Sequence, residues 1–123
     1  MNENDYHCDI YAHNLAVENG IMEKVDWDGN SMTVNQIYNG FYSGSAKETK
    51  DLNGTAGYVF YDWTGDGSYD HMEYYECSGN GNYSIWTTDG IDKPTESTRN
   101  FSTDPNGHAK NGGNGIVKWV PIA

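Results

Sequence analysis

The spacing of apolar positions changes period once along this chain. Over "CDIYAHNLAVENG", residues 8–20, the side chains Cys8, Tyr11, Ala12, Leu15 and Ala16 recur at intervals of three and four, which puts them on one face of a helix. Asp5 stands upstream as an N-cap and Gly20 lies where a helix closes, so Cys8 is expected in the first turn. A second, shorter helix is predicted over "MTVNQIYNGF", capped by Ser31 or Thr33 and stopped at Gly40. From Gly57 the pattern becomes that of strands: "GYVFYDW", "YDHMEYYEC" and "NYSIWTT" are rich in aromatic and β-branched residues. The turn-rich "SGNG" makes the last two a hairpin. Residues 43–55 are polar and predicted as a loop or frayed helix, and residues 90–114 as a long surface excursion, before "GIVKWVPI" supplies a last strand stopped by Pro121. Helix first and antiparallel sheet after predicts a single α+β domain over residues 1–123.

Composition supports a folded domain: 36% of residues are hydrophobic and 14% aromatic, mostly tyrosine, which is enough apolar surface to order the chain. The net charge of −11, with only seven lysines and arginines, leaves no basic patch for a phosphate backbone, so nucleic acid is not an expected partner. No stretch approaches the roughly 20 apolar residues of a membrane span. The start "MNENDYHCDI" has neither a positive segment nor an apolar one, so no signal peptide is expected in this chain. Export would then need other machinery, or the domain belongs to a longer chain.

The chemistry-bearing residues are few. A thiol attacks only as thiolate, and the unpaired amides of a first helical turn favour that charge and can hold an oxyanion. A histidine at a strand edge can take the thiol proton and return it to a leaving group, and a carboxylate on the next strand can fix its tautomer. Cys8, His71 and Asp89 occur in that order, with Glu73, Asp92 and Asp104 as alternative carboxylates. On strand alternation His71, Glu73, Tyr75 and Cys77 share a face, with Cys77 roughly 20 Å from His71 at ~3.3 Å per residue. A Cys8–Cys77 disulfide is the competing reading. His7, His13 and His108 are expected at the surface, with His7 beside the thiol.

The string "GYVFYDWTGDGSYDHMEYYE" resembles the stretch around the catalytic histidine of CHAP and NlpC-type cysteine peptidases and amidases, and "HCDIYAHNLAVENGI" resembles their nucleophile helix. "YSIWTTDG" is similar to the strand that delivers their third catalytic residue, and "GIVKWVPI" to their closing strand. Where those proteins carry a small residue two places after the histidine, this chain has Glu73. The resemblance implies a papain-like fold, an N-terminal nucleophile helix packed on an antiparallel sheet, with Cys8, His71 and Asp89 as its triad. It also implies cleavage of amide bonds in bacterial peptidoglycan without a required cofactor. The resemblance further implies a toxin delivered into the target cell envelope, which would have a cognate immunity protein, or the catalytic part of a lysin. Tyr6, Trp63, Tyr69 and Trp86 are candidates to line the substrate groove. A papain-like toxin that cleaves or deamidates a protein is the alternative within enzymes.

The loop before His71 carries a further signal. "DWTGDGSYDHME" fits the spacing of a calcium loop, with oxygens from Asp62, Thr64, Asp66, Ser68, Asp70 and Glu73, although Thr64 is unusual at its position. A calcium there would stiffen the loop that positions His71. A calcium-dependent binding domain without enzymatic activity is the alternative of another class.

Overall fold

Aromatic and β-branched runs dominate the second half of the chain, and they assemble into one antiparallel sheet. The structure, a computed structural model, describes residues 12, 15–20, 33–63, 65–87, 95–105, 107 and 116–122. Tyr6, Cys8, Thr64, Asp89 and Asp92 lie outside the described residues. The strands are β1 (Ala56–Asp62), β2 (His71–Gly79), β3 (Asn82–Thr87), β4 (Thr95–Asn100) and β5 (Ile116–Pro121), in the order β4-β3-β2-β1-β5. The protein is therefore α+β, a five-stranded antiparallel sheet with few helices among the described residues. None of those helices is long and apolar enough to cross a membrane.

The hairpin expected around "SGNG" forms on Asn80 and Gly81, both with positive φ, between the paired residues Gly79 and Asn82. Two left-handed central residues match the twist of the flanking strands, which is why Asn-Gly suits this turn. The polar excursion expected over residues 90–114 is corrected in part, because Thr95–Asn100 is a strand. Its side chains have no apolar alternation to betray it. It is an edge strand held by backbone pairing to β3 and by polar contacts, such as Asn100 Nδ2 donating to Asn82 Oδ1 at 2.7 Å.

Residues 15–18 are helical, and helix α1 (Val34–Ile37) opens with a reciprocal cap. Gln36 N donates to Thr33 Oγ1 at 3.1 Å while Thr33 N donates to Gln36 Oε1 at 2.9 Å, satisfying two amides that the first turn would leave unpaired. Thr33, not Ser31, is thus the cap. Gly40 does not stop the helix as expected: the chain widens into a π turn over Tyr38–Tyr42, and left-handed Gly44 (φ 85) follows.

Alternation sorts the sheet into two cores. Met72 and Tyr74 of β2, with Tyr58 and Phe60 of β1, face Ala12, Ala16 and α1. Val59, Tyr61, Tyr75, Tyr83, Ile85 and Trp119 form the core on the other face. Tyr58, Tyr61, Tyr74, Tyr75 and Tyr83 are fully buried, so their hydroxyls need partners. Glu73 Oε1 accepts from Tyr61, Glu76 Oε2 from Tyr74 and the Asp104 carbonyl from Tyr83, while the Tyr75 hydroxyl pairs with that of Thr55. At Gly57 any side chain is excluded, since a Cβ would stand 2.1 Å from the Val120 carbonyl oxygen of β5.

Candidate functional site

Asp62, the last residue of β1, organises the turn that delivers His71. Its Oδ1 accepts from Gly65 N (2.9 Å) and Asp66 N (3.3 Å), and its Oδ2 from Gly67 N (2.8 Å). Gly65 (φ 73) and Gly67 (φ 91) take the left-handed conformation that lets these amides converge on one carboxylate. Burial raises the Asp62 pKa, but the bonds from Gly67, Gly65 and Asp66 outweigh it, and the carboxyl is held below its ordinary value. Asp70 closes the loop, donating from its amide to the Tyr61 carbonyl (2.7 Å) and accepting from Trp63 N at Oδ2 (3.0 Å). The next residue is His71, which opens β2 opposite Tyr61, as the sequence led one to expect.

His71 is buried, and its Nε2 lies 2.9 Å from Oε2 of Glu73. The other Glu73 oxygen accepts from the Tyr61 hydroxyl at 2.8 Å, so a carboxylate that is only 1% exposed meets a donor at each oxygen. Two rings stack on the imidazole, Trp63 with centroids 4.8 Å apart and Tyr61 at 5.8 Å. Gly107 packs against the Tyr61 hydroxyl so closely that a Cβ there would stand 2.5 Å from it, and the Gly107 carbonyl accepts from Arg99 Nη1 at 2.7 Å. The cluster is thus built from β1, β2, β4 and the segment beyond β4. An ionised carboxylate only accepts, so a Glu73 carboxylate in this bond is matched by a proton on Nε2.

Several expectations change here. Glu73 is not part of the acidic cluster before His71; strand alternation turns it to the histidine instead. The cluster is Asp62, Asp66 and Asp70, whose carboxylate oxygens lie within 4.8 Å of one another. Ser68 donates its amide to Asp66 Oδ1. Of the expected groove aromatics, only Trp63 touches His71 among the described residues. Tyr69 packs on Tyr38 and Phe60, and Trp86 on Tyr74, all at the opposite core. Asp104 is engaged by Arg99 at 3.8 Å. Cys77 is a buried free thiol, which disposes of the Cys8–Cys77 disulfide, and burial pushes its pKa up.

The placement of the first helix also departs from expectation. Ala12 and Ala16 pack with Phe60, Met72 and Tyr74, whereas His71 and Glu73 alternate to the other face. Met72 and Tyr74 fill the helix-facing core. Two cavities, of about 510 and 400 Å³, lie elsewhere. The first is lined by Lys47, Lys118 and Trp119 among others, the second by Cys77 and Ser78 among others, and His71 lines neither. The Glu73–His71 pair is the signal that sequence reading underused: residues i and i+2 of a strand share a face, and the small residue absent at 73 marked the difference.

No protein-family model matches the chain, and no curated protein or solved structure matches it either.

Proposed function

We propose that this chain is a papain-like cysteine hydrolase of peptidoglycan amide bonds, with Cys8 as nucleophile and His71 as the proton carrier. The observation that supports it is the buried imidazole at the first residue of β2, hydrogen-bonded to a carboxylate at 2.9 Å. A histidine bonded to a carboxylate through one ring nitrogen is held in orientation, as a general base requires. The resemblance of the sequence around His71 to CHAP and NlpC-type enzymes supplies the reaction class. In the reaction, the Cys8 proton passes to His71 and the thiolate adds to the amide carbonyl. The C–N bond then breaks as His71 protonates the departing amine, and water, deprotonated by the same ring, releases the acyl group and regenerates the thiol. The resemblance assigns the orienting carboxylate to Asp89. Delivery into the target envelope and a cognate immunity protein belong to the same proposal.

Digestion of purified peptidoglycan by wild type, Cys8→Ala and His71→Ala, with fragments identified by mass, tests it. Wild-type cleavage lost in both variants supports the hydrolase and names the bond. Absence of cleavage by wild type, together with an iodoacetamide rate at Cys8 no faster than that of a free cysteine, refutes it.

A second reading, a cation-binding loop, is favoured by the convergence of Asp62, Asp66 and Asp70. Hard carboxylate oxygens suit Ca²⁺, and backbone carbonyls or water would complete its shell of 6–8 oxygens. Isothermal titration of wild type and Asp66→Asn with CaCl₂ tests it: heat in the first and none in the second supports the loop, and no heat in either removes it.

A further inference from the structure

We infer that Glu73, two residues along the same strand, is the positioning residue of His71, a role the family resemblance gives to Asp89. The inference rests on the hydrolase reading for its functional meaning and on geometry for its content. Three features carry it. The Nε2–Oε2 separation of 2.9 Å is that of a charge-assisted hydrogen bond. Glu73 cannot swing away, because its second oxygen accepts from the Tyr61 hydroxyl at 2.8 Å and the side chain is 1% exposed. Tyr61 is itself fixed, cross-strand from His71, stacked toward its ring and backed by Gly107, where even a methyl group would collide with the hydroxyl. The order of dependence runs from Gly107 to Tyr61 to Glu73 to His71. A carboxylate so held directs the Nε2–H and leaves proton transfer to Nδ1, and it stabilises the imidazolium that forms when the thiol is deprotonated.

The test uses the full chain labelled with ¹⁵N-histidine, with the His71 ring signals assigned by their loss in His71→Ala. Wild type is expected to show the Nε2–H tautomer. Glu73→Gln is isosteric, and its carbonyl can still accept from Tyr61, so its NH₂ faces Nε2 and the ring switches to the Nδ1–H tautomer. In peptidoglycan digestion the same variant loses roughly 10²-fold or more in kcat, the scale of a misdirected general base, with little change in KM. Tyr61→Phe keeps the tautomer but costs a smaller factor in kcat, and Glu73→Asp recovers part of the loss. Asp89→Asn leaves the tautomer unchanged. An unswitched tautomer in Glu73→Gln, or a switch produced by Asp89→Asn alone, overturns the inference even if wild type cleaves. A switched tautomer with inactive wild type instead overturns the hydrolase reading.

Discussion

Phenylalanine at position 61 removes one oxygen, and the structure fixes what that should cost. The Tyr61 hydroxyl donates to Glu73 Oε1 at 2.8 Å, and Glu73 is almost wholly withdrawn from solvent, so water cannot replace the donor. Hydrogen bonds to charged groups are worth about 1.5–3 kcal/mol, and burial of the abandoned oxygen places this one in the upper half of that range. We expect a loss of about 2–3 kcal/mol for Tyr61→Phe, which for a chain of this size lowers Tm by roughly 8–12 °C. Tyr75→Phe is the internal reference. It also removes a fully buried tyrosine hydroxyl, but one paired with the neutral Thr55 hydroxyl at 2.8 Å, so its cost should be only about 0.5–1.5 kcal/mol. Urea unfolding of both variants, of Glu73→Gln and of the Tyr61→Phe/Glu73→Gln pair gives the coupling energy, expected at about 1 kcal/mol or more for groups in one network. Equal losses for the two tyrosine variants, with no coupling between Tyr61 and Glu73, would refute the account of Glu73 as a buried charged acceptor.

Other consequences are as specific. Gly57→Ala drives a Cβ to 2.1 Å from the Val120 carbonyl, and because both partners are backbone the strands must part; urea unfolding should show a loss at or beyond about 3 kcal/mol. Burial pushes Tyr69, Tyr75 and Tyr83 up to about 12 from 10.0, so the stability they confer is full below pH 10 and fades as pH rises toward 12. Absorbance titration should find these phenols ionising late, together with loss of the sheet signal in circular dichroism. Asp62 is shifted the other way, so its contribution is present above pH 3.8 and is lost as pH falls through its lower folded value. The urea midpoint should therefore fall more steeply with acid in wild type than in Asp62→Asn.

Much of the sheet was legible because its strands are bounded by turn residues and filled with tyrosine, phenylalanine, valine and isoleucine. Strand alternation also gave the shared face of His71, Glu73, Tyr75 and Cys77. What alternation alone could not give was which of the two faces packs against α1 and Ala12, the one that carries Met72 and Tyr74. Strand β4 escaped notice because "TESTRN" is polar on both faces and owes its place to its neighbour β3. The extent of the second helix was misjudged at Gly40, where a wider turn accommodates the glycine. For the site, His71 was found by its position at the edge of an acidic turn. Glu73 reads from the sequence both as a loop oxygen and as an alternative carboxylate for His71, because a spacing rule counts residues, whereas the pleat decides which way a carboxylate points.

The strand order has a consequence for how the protein is made. β1 lies between β2 and β5, yet β2, β3 and β4 all separate it from β5 along the chain. During synthesis β1 can zip to β2 early, but its other edge stays bare until β5 has left the ribosome. That edge belongs to the strand with the heaviest apolar load, where Tyr58, Val59, Phe60 and Tyr61 are all fully buried in the finished sheet. An unpaired, apolar edge is the kind of surface on which chains associate. The last strand therefore acts as a seal, and its late arrival sets the interval in which the nascent chain is most open to aggregation or to a chaperone.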